Sequence, residues 1–186
     1  MQELEAVPFD LRNGKAAPLK GFAATGIHEG KLQEAVHALK YNGAYTLAAP
    51  LGDRLVAALA ALGWQIDVAL PVPLHPTRQR ERGANQAELL TSHVAITLNL
   101  PYSHGTLTRW RDTPPQVGLN REQRLENVRN AFRAQAPLSG TVLLVDDVFT
   151  TGATLRACAQ AAREAGANAV YGLTVSAARS PNTRGV

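Results

Sequence analysis

The stretch LVDDVFTTGAT, from Leu144 to Thr154, sets two adjacent carboxylates, Asp146 and Asp147, at the end of an apolar run. Hydroxyls and one glycine follow. Consecutive backbone N–H groups in a tight loop, capped by a helix N-terminus, form an anion site. Gly152 allows backbone angles and a close approach that a side chain would block. Thr150, Thr151 and Thr154 add hydroxyl donors to the same anion. Two aspartates repel a phosphate, so they suit something attached to it. That is either sugar hydroxyls, which donate to carboxylate oxygens, or a Mg²⁺ held nearby. A ligand with ribose at one end and phosphate at the other satisfies both halves. The plainer alternative is a strand end with a threonine N-cap. Paired aspartates followed by TTGAT exceed what a cap needs.

Positioning these groups requires a strand, a turn and a helix. TVLLV (141–145) reads as a buried strand, and Thr154 to Ala165 as a helix closed by Gly166. AVYGLTV (169–175) is the next strand. Upstream, EGKLQEAVHALK (29–40) spaces Leu32, Val36 and Leu39 as a helix does, and Asn42-Gly43 ends it. A second helix is expected from about Thr46 to Leu62, with Leu51, Leu55, Leu59 and Leu62 on one face and Gly63 as its stop. IDVALPVP reads as a short buried strand broken by Pro71 and Pro73, and residues 84–98 as a further helix. Residues 103–120 read as a long loop, followed by a helix from about Arg121 to Val128. Strands alternating with helices predict an α/β fold, a parallel sheet covered on both faces, with ligands outside the carboxyl ends of its strands. Residues 1–30 are expected to be a lead-in and 31–186 the folded domain.

VLLVDDVFTTGAT closely resembles the phosphoribosyl-pyrophosphate-binding signature of type I phosphoribosyltransferases. ALKYNG (38–43), LPVPLHPTRQRERGANQAELL (70–90) and the spaced Arg111, Thr113, Gln116, Arg124, Asn127 and Ala131-Phe132 narrow the resemblance. They look like the ComF branch, the competence-associated phosphoribosyltransferase-like proteins. The resemblance spans roughly Leu32 to Ala178. It implies a Rossmann-like parallel sheet with a flexible hood, for which the best candidate is Ser103 to Asn120. It also implies that the catalytic acids Asp146 and Asp147 hold the ribose 2′- and 3′-hydroxyls. Thr150, Thr151, Gly152, Ala153 and Thr154 then take the 5′-phosphate, and Pro71, Val72, Pro73 and Leu74 take the pyrophosphate with Mg²⁺. Arg78, Arg80 and Arg82 follow that loop directly, and Arg111 falls in the hood. Some family members carry a carboxylate base in the phosphate loop; Thr150 stands there instead, so an assisting group elsewhere is required. The four-cysteine zinc module with which many ComF-like proteins begin has no counterpart, since Cys158 is the single cysteine.

The remaining features bound the reading. With 45% hydrophobic and 18% charged residues, the composition is that of a globular protein. One cysteine excludes a disulfide framework and a cysteine-rich zinc site. The start, MQELEAVPFD, lacks a secretory apolar core, and the apolar run between Arg54 and Asp67 is too short to span a bilayer. A cytoplasmic protein is expected. The net charge of +4 lies entirely between Arg78 and Arg133, where nine arginines face five acids. Arginine is the better fork for phosphate. Lys40 and Tyr41 fit a site edge or helix-end packing, Trp110 fits base stacking or loop packing, and Cys158 fits the core. The five histidines show no metal-ligand spacing. Two functions stand. One is an enzyme transferring phosphoribose from phosphoribosyl pyrophosphate to a nitrogenous base with Mg²⁺. The other is a non-catalytic nucleotide sensor or single-stranded-DNA-binding competence factor, with competence proteins as partners. No G-x-G-x-x-G follows a strand, which sets aside a dinucleotide fold.

Overall fold

The computed structural model describes residues 18–111, 128 and 130–179. The helix expected at 121–128, apart from Val128, lies outside the described residues, as do Arg124, Asn127, the lead-in before Pro18 and the hood beyond Arg111.

Strand β1 (Gly21–Ala24) opens the fold, followed by helices α1 (Gly30–Tyr41) and α2 (Ala48–Leu62), then β2 (Val68–Pro71). Helices α3 (Pro76–Arg82) and α4 (Gln86–Leu98) come next. An antiparallel ribbon follows, β3 (Leu107–Arg109) with β4 (Phe132–Ala134). β5 (Thr141–Phe149), α5 (Ala153–Glu164) and β6 (Ala169–Ala177) complete the chain. β1, β6, β5 and β2 form one parallel sheet in that order. This is the helix-flanked parallel α/β fold that the sequence predicts. Gly21–Ala24 departs from the expected lead-in, because it pairs with Tyr171–Thr174 and belongs to the sheet. Four residues are too few to show a period, so the sequence did not reveal the strand.

The sheet is apolar on both faces, as parallel strands between helices must be. On one face Val36, Leu39, Leu51, Leu55, Leu90 and Val94 of α1, α2 and α4 pack against Ala69, Leu143, Val145 and Leu173. On the other, Leu155, Cys158 and Ala162 of α5, with Leu107 and Phe132 of the ribbon, cover Leu70, Val142, Leu144 and Val170. Each fully buried leucine contributes roughly 1.5–3 kcal/mol of transfer free energy. Together Tyr45–Leu62 form an 18-residue helical run of mean hydropathy 1.2, long and apolar enough to cross a bilayer. Yet Leu51, Leu55, Ala58 and Leu59 of this run are buried in the core, and the run carries Asp53 and Arg54.

Helix ends follow their caps. Gly63 ends α2 in the left-handed region at φ 62°. Asn85 accepts from Ala87 N–H at 3.1 Å to start α4, and its Nδ2 donates to Val72 O at 3.1 Å. That second bond ties the loop after β2 to α4. α3 was not anticipated: PTRQRER shows no apolar stripe because the helix is one short, surface-lying turn pair with Pro76 at its start.

Candidate functional site

β5 runs four residues further than TVLLV, so Asp146 and Asp147 sit within the strand rather than beyond it. Pro71 pairs with Val145, which brings the loop after β2 alongside the acids. A cleft of about 690 Å³ opens there, at the carboxyl ends of β2 and β5. That volume lies within the range of small-molecule sites, roughly 300–1,000 Å³.

Of the residues singled out in the sequence, the cleft brings together Asp146, Asp147, Val72, Pro73, Arg78, Arg82, Thr150 and Thr154. Gly152 and Ala153 line a small hollow beneath it, with Asp146, Thr150 and Thr154. Gly152 has φ 74°, and a Cβ there would fall 2.5 Å from the Phe149 ring, so the turn admits only glycine. Thr151 lines neither; its Oγ1 accepts from Ala153 N–H at 3.4 Å and caps the turn.

Arg80 and Arg111 are exposed and do not line the cleft. For Arg80 the reason is helical geometry: Arg78 and Arg82 are four residues apart and share a face, while Arg80 between them turns about 200° away. Arg111 lies where the ribbon leaves the cleft wall. Lys40 and Tyr41, left open by the sequence, line the cleft together with Asn85 and Gln86 of the 70–90 stretch, and His28 and Arg109 join them unforeseen. Arg109 is buried on β3, with its guanidinium 5.5 Å from the centre of the Phe132 ring. Its only signal was the period-two pair Leu107 and Arg109, in a segment read as loop.

The electrostatics centre on the acid pair. Lys40 Nζ lies 2.9 Å from Asp147 Oδ1, and Asp147 N–H donates to Asp146 Oδ1 at 2.9 Å. Burial first, then the neighbouring Asp147, push the Asp146 carboxyl up to about 7, against the pull of Lys40 and Arg82. Arg82 is held across the rim. Its Nη2 donates to Tyr41 Oη at 3.3 Å, and its Nη1 to Gln86 Oε1 at 3.3 Å. The arrangement places two acids between a backbone cradle and a wall of cations. It can hold a polyol by its hydroxyls and anions at both ends. Among the described residues no group of three or more His, Cys, Asp or Glu could hold a metal ion. A Mg²⁺ in this cleft would therefore be carried chiefly by a substrate's own phosphate and hydroxyl oxygens, as is usual for that ion.

The fold and the cleft define an α/β protein with an open cleft at the carboxyl edge of a parallel sheet. No family model matches the chain. It is 34% identical over 152 residues to DNA utilization protein YhgH of Salmonella typhimurium, covering 78% of this chain and 67% of that one. It is 32% identical over 162 residues to the protein of the same name from Escherichia coli K12, covering 84% and 71%. With competence protein F of Haemophilus influenzae it shares 36% identity over 104 residues, spanning 54% of this chain and 45% of that protein. Among solved structures, glutamine phosphoribosylpyrophosphate amidotransferase from B. subtilis matches with a TM-score of 0.46 and 21% identity, over 70% of this chain and 27% of that one. The chain belongs to the ComF-like family that includes DNA utilization protein YhgH and the competence proteins.

Proposed function

We propose that the cleft binds 5-phosphoribosyl 1-pyrophosphate and transfers its phosphoribose to a nitrogenous base. The single observation that carries this reading is the convergence of the Asp146–Asp147 pair, the 150–154 turn and the 72–74 loop on one cleft. In this reading the turn takes the 5′-phosphate on the N–H groups opening α5, where the helix dipole favours negative charge. Asp146 and Asp147 accept from the ribose hydroxyls, with the Lys40 ion pair opening to admit them. Positive charge builds on the ribose as the pyrophosphate departs, and the carboxylates lie beside it. Arg78, Arg82 and Arg109 stabilise the departing anion. Mg²⁺, carried with the substrate, would supply further neutralisation of the pyrophosphate. The competence and DNA-utilization relatives support a link to DNA uptake, and the reaction belongs in the cytoplasm.

The test is titration with phosphoribosyl pyrophosphate and Mg²⁺, together with pyrophosphate release across a panel of purine and pyrimidine bases. Binding followed by release with at least one base bears the reading out. Absence of binding ends it.

A second reading keeps the same pocket without catalysis: a nucleotide sensor or single-stranded-DNA-binding competence factor. The favouring observation is Trp110, 49% exposed on the ribbon, with the Arg133 guanidinium 4.0 Å from its ring centre. An exposed indole beside arginine is a stacking platform for a base. Tight binding of the sugar donor with no release for any base, and salt-sensitive DNA binding, would select this reading over the first.

A further inference from the structure

We propose that His28 is the residue that meets the accepting nitrogenous base and takes the proton from its ring nitrogen. This rests on the phosphoribosyl transfer proposed above, and it supplies the assisting group that the phosphate turn lacks, since Thr150 occupies the place of a carboxylate.

His28 follows β1 on a segment that continues the sheet. Ile27 bridges to Ala177, and His28 N–H donates to Ala177 O at 2.8 Å. These bonds anchor the residue against the carboxyl end of β6. Its Nδ1 lies 2.8 Å from Oγ of Ser176, which is wholly buried. In the tautomer whose Nδ1–H donates to Ser176 Oγ, Nε2 keeps its lone pair and is the ring nitrogen left for the cleft, which His28 lines. An imidazole fixed by a buried hydroxyl at one nitrogen and offered to a ligand cleft at the other is built for proton exchange.

Strand order sets its side of the reaction. β5 carries the acids, and its neighbours are β2 on one flank and β6 on the other. The 72–74 loop, assigned to pyrophosphate, extends β2. His28 sits on the opposite flank, at the ends of β6 and β1. Displacement at a saturated carbon requires the incoming and leaving groups on opposite faces. The accepting base therefore approaches from the His28 flank. The base's nitrogen lone pair forms the bond to the anomeric carbon. The carbon–oxygen bond breaks, and its electron pair leaves on the pyrophosphate. The N–H proton passes to His28 Nε2 and then to water.

The surroundings suit an acceptor. Burial, then Lys40 of α1, hold the imidazole below its ordinary range, while Asp147 of β5 pulls the other way. Asp146 lines the same cleft. On the outer side Glu29 is engaged by Arg179, with Arg179 Nε donating at 2.6 Å and Nη2 at 3.0 Å. At neutral pH the ring is uncharged and ready to accept a proton.

The experiment titrates the wild type and His28→Ala with ribose 5-phosphate and with AMP, GMP, IMP, CMP and UMP. At least one nucleotide should bind the wild type about 10-fold or more tighter than ribose 5-phosphate, through the added base. His28→Ala should lose most of that increment and keep its ribose 5-phosphate affinity. Reverse turnover of the same nucleotide with pyrophosphate and Mg²⁺, in which His28 returns the proton to the departing base, should fall about 100-fold in kcat, with the alkaline limb of the pH profile removed. An increment that survives, an equal loss for both ligands, unchanged kcat, or a wild type that binds the nucleotide without turnover each overturn the assignment to His28. Failure of ribose 5-phosphate to bind the wild type is distinguishable, because it removes the phosphate cradle and the proposed function itself.

Discussion

The two walls of the cleft are made of different material. The wall after β5 is chiefly backbone: a glycine turn braced by Thr151 and a helix start, contiguous from Asp146 to Thr154. The wall facing it is side chain: Lys40 from α1, Arg78 and Arg82 from α3, Arg109 from the ribbon. A backbone wall is rigid and tolerates little change. A side-chain wall is spread over several elements, and each cation contributes separately. The contrast predicts steep losses on the first wall and graded ones on the second.

The largest effect should come from Asp147→Asn. Removing the charge proposed to accept from ribose is expected to weaken phosphoribosyl pyrophosphate binding by about 10- to 100-fold, the worth of hydrogen bonds to a charged group. Thermal stability should also fall, because the Lys40–Asp147 pair is largely buried, with 19% and 10% of the two side chains exposed, and the amide leaves the Lys40 charge without its partner. Calorimetric titration checks the first point and a melting curve the second. Full retention of affinity would undo the contrast at its root.

Within the second wall, Arg82→Ala should weaken binding about 10-fold, while Arg80→Ala should stay within about twofold, since Arg80 is on the far side of α3. Equal losses would mean that general positive charge, and not the cleft face of α3, does the binding.

A third test exploits the cost of the acid pair. The Asp146 carboxyl is raised to about 7 in the fold, against an ordinary value of 3.8. The folded state thus holds this proton more tightly than the unfolded chain. Stability from this group is fully present below 3.8 and is lost as pH rises through about 7. Asp146→Asn keeps an oxygen for the Asp147 N–H and removes the charge. It should raise the melting temperature at pH 8 and leave it nearly unchanged at pH 4, with roughly 2–4 °C for each kcal/mol regained. A variant no more stable at pH 8 than the wild type would show that the carboxylate is at ease in its site.

The smallest effect concerns Cys158. Fully buried, with its thiol pushed well above the usual range first by burial and then by Asp146, it should not react with a thiol reagent in the native protein. Rapid labelling without denaturant would mean that the α5 layer opens, and with it the first wall.

The first wall was legible in the sequence because it is local. Two acids, three threonines and a glycine lie within nine residues, and strand, turn and helix each carry their own signal. The fold class was legible for the same reason, from alternating apolar runs and helical spacing. The second wall was only half legible. Arg78 and Arg82 were named, but Arg80 was named with them, because a run of arginines does not declare its helix until α3 is seen to form. Arg109 was hidden in a three-residue strand whose partner lies beyond 22 intervening residues.

By itself the sequence determined the glycine turn, the acids and the α/β architecture, since those depend on neighbours along the chain. The tertiary structure alone decided that β1 joins the sheet, that Lys40 reaches Asp147, and that His28 meets Ser176. The last two contacts join residues 107 and 148 positions apart, and no local pattern encodes such a pairing. They arise because the β1-β6-β5-β2 order, set by burial of both sheet faces, brings the ends of distant strands to one edge.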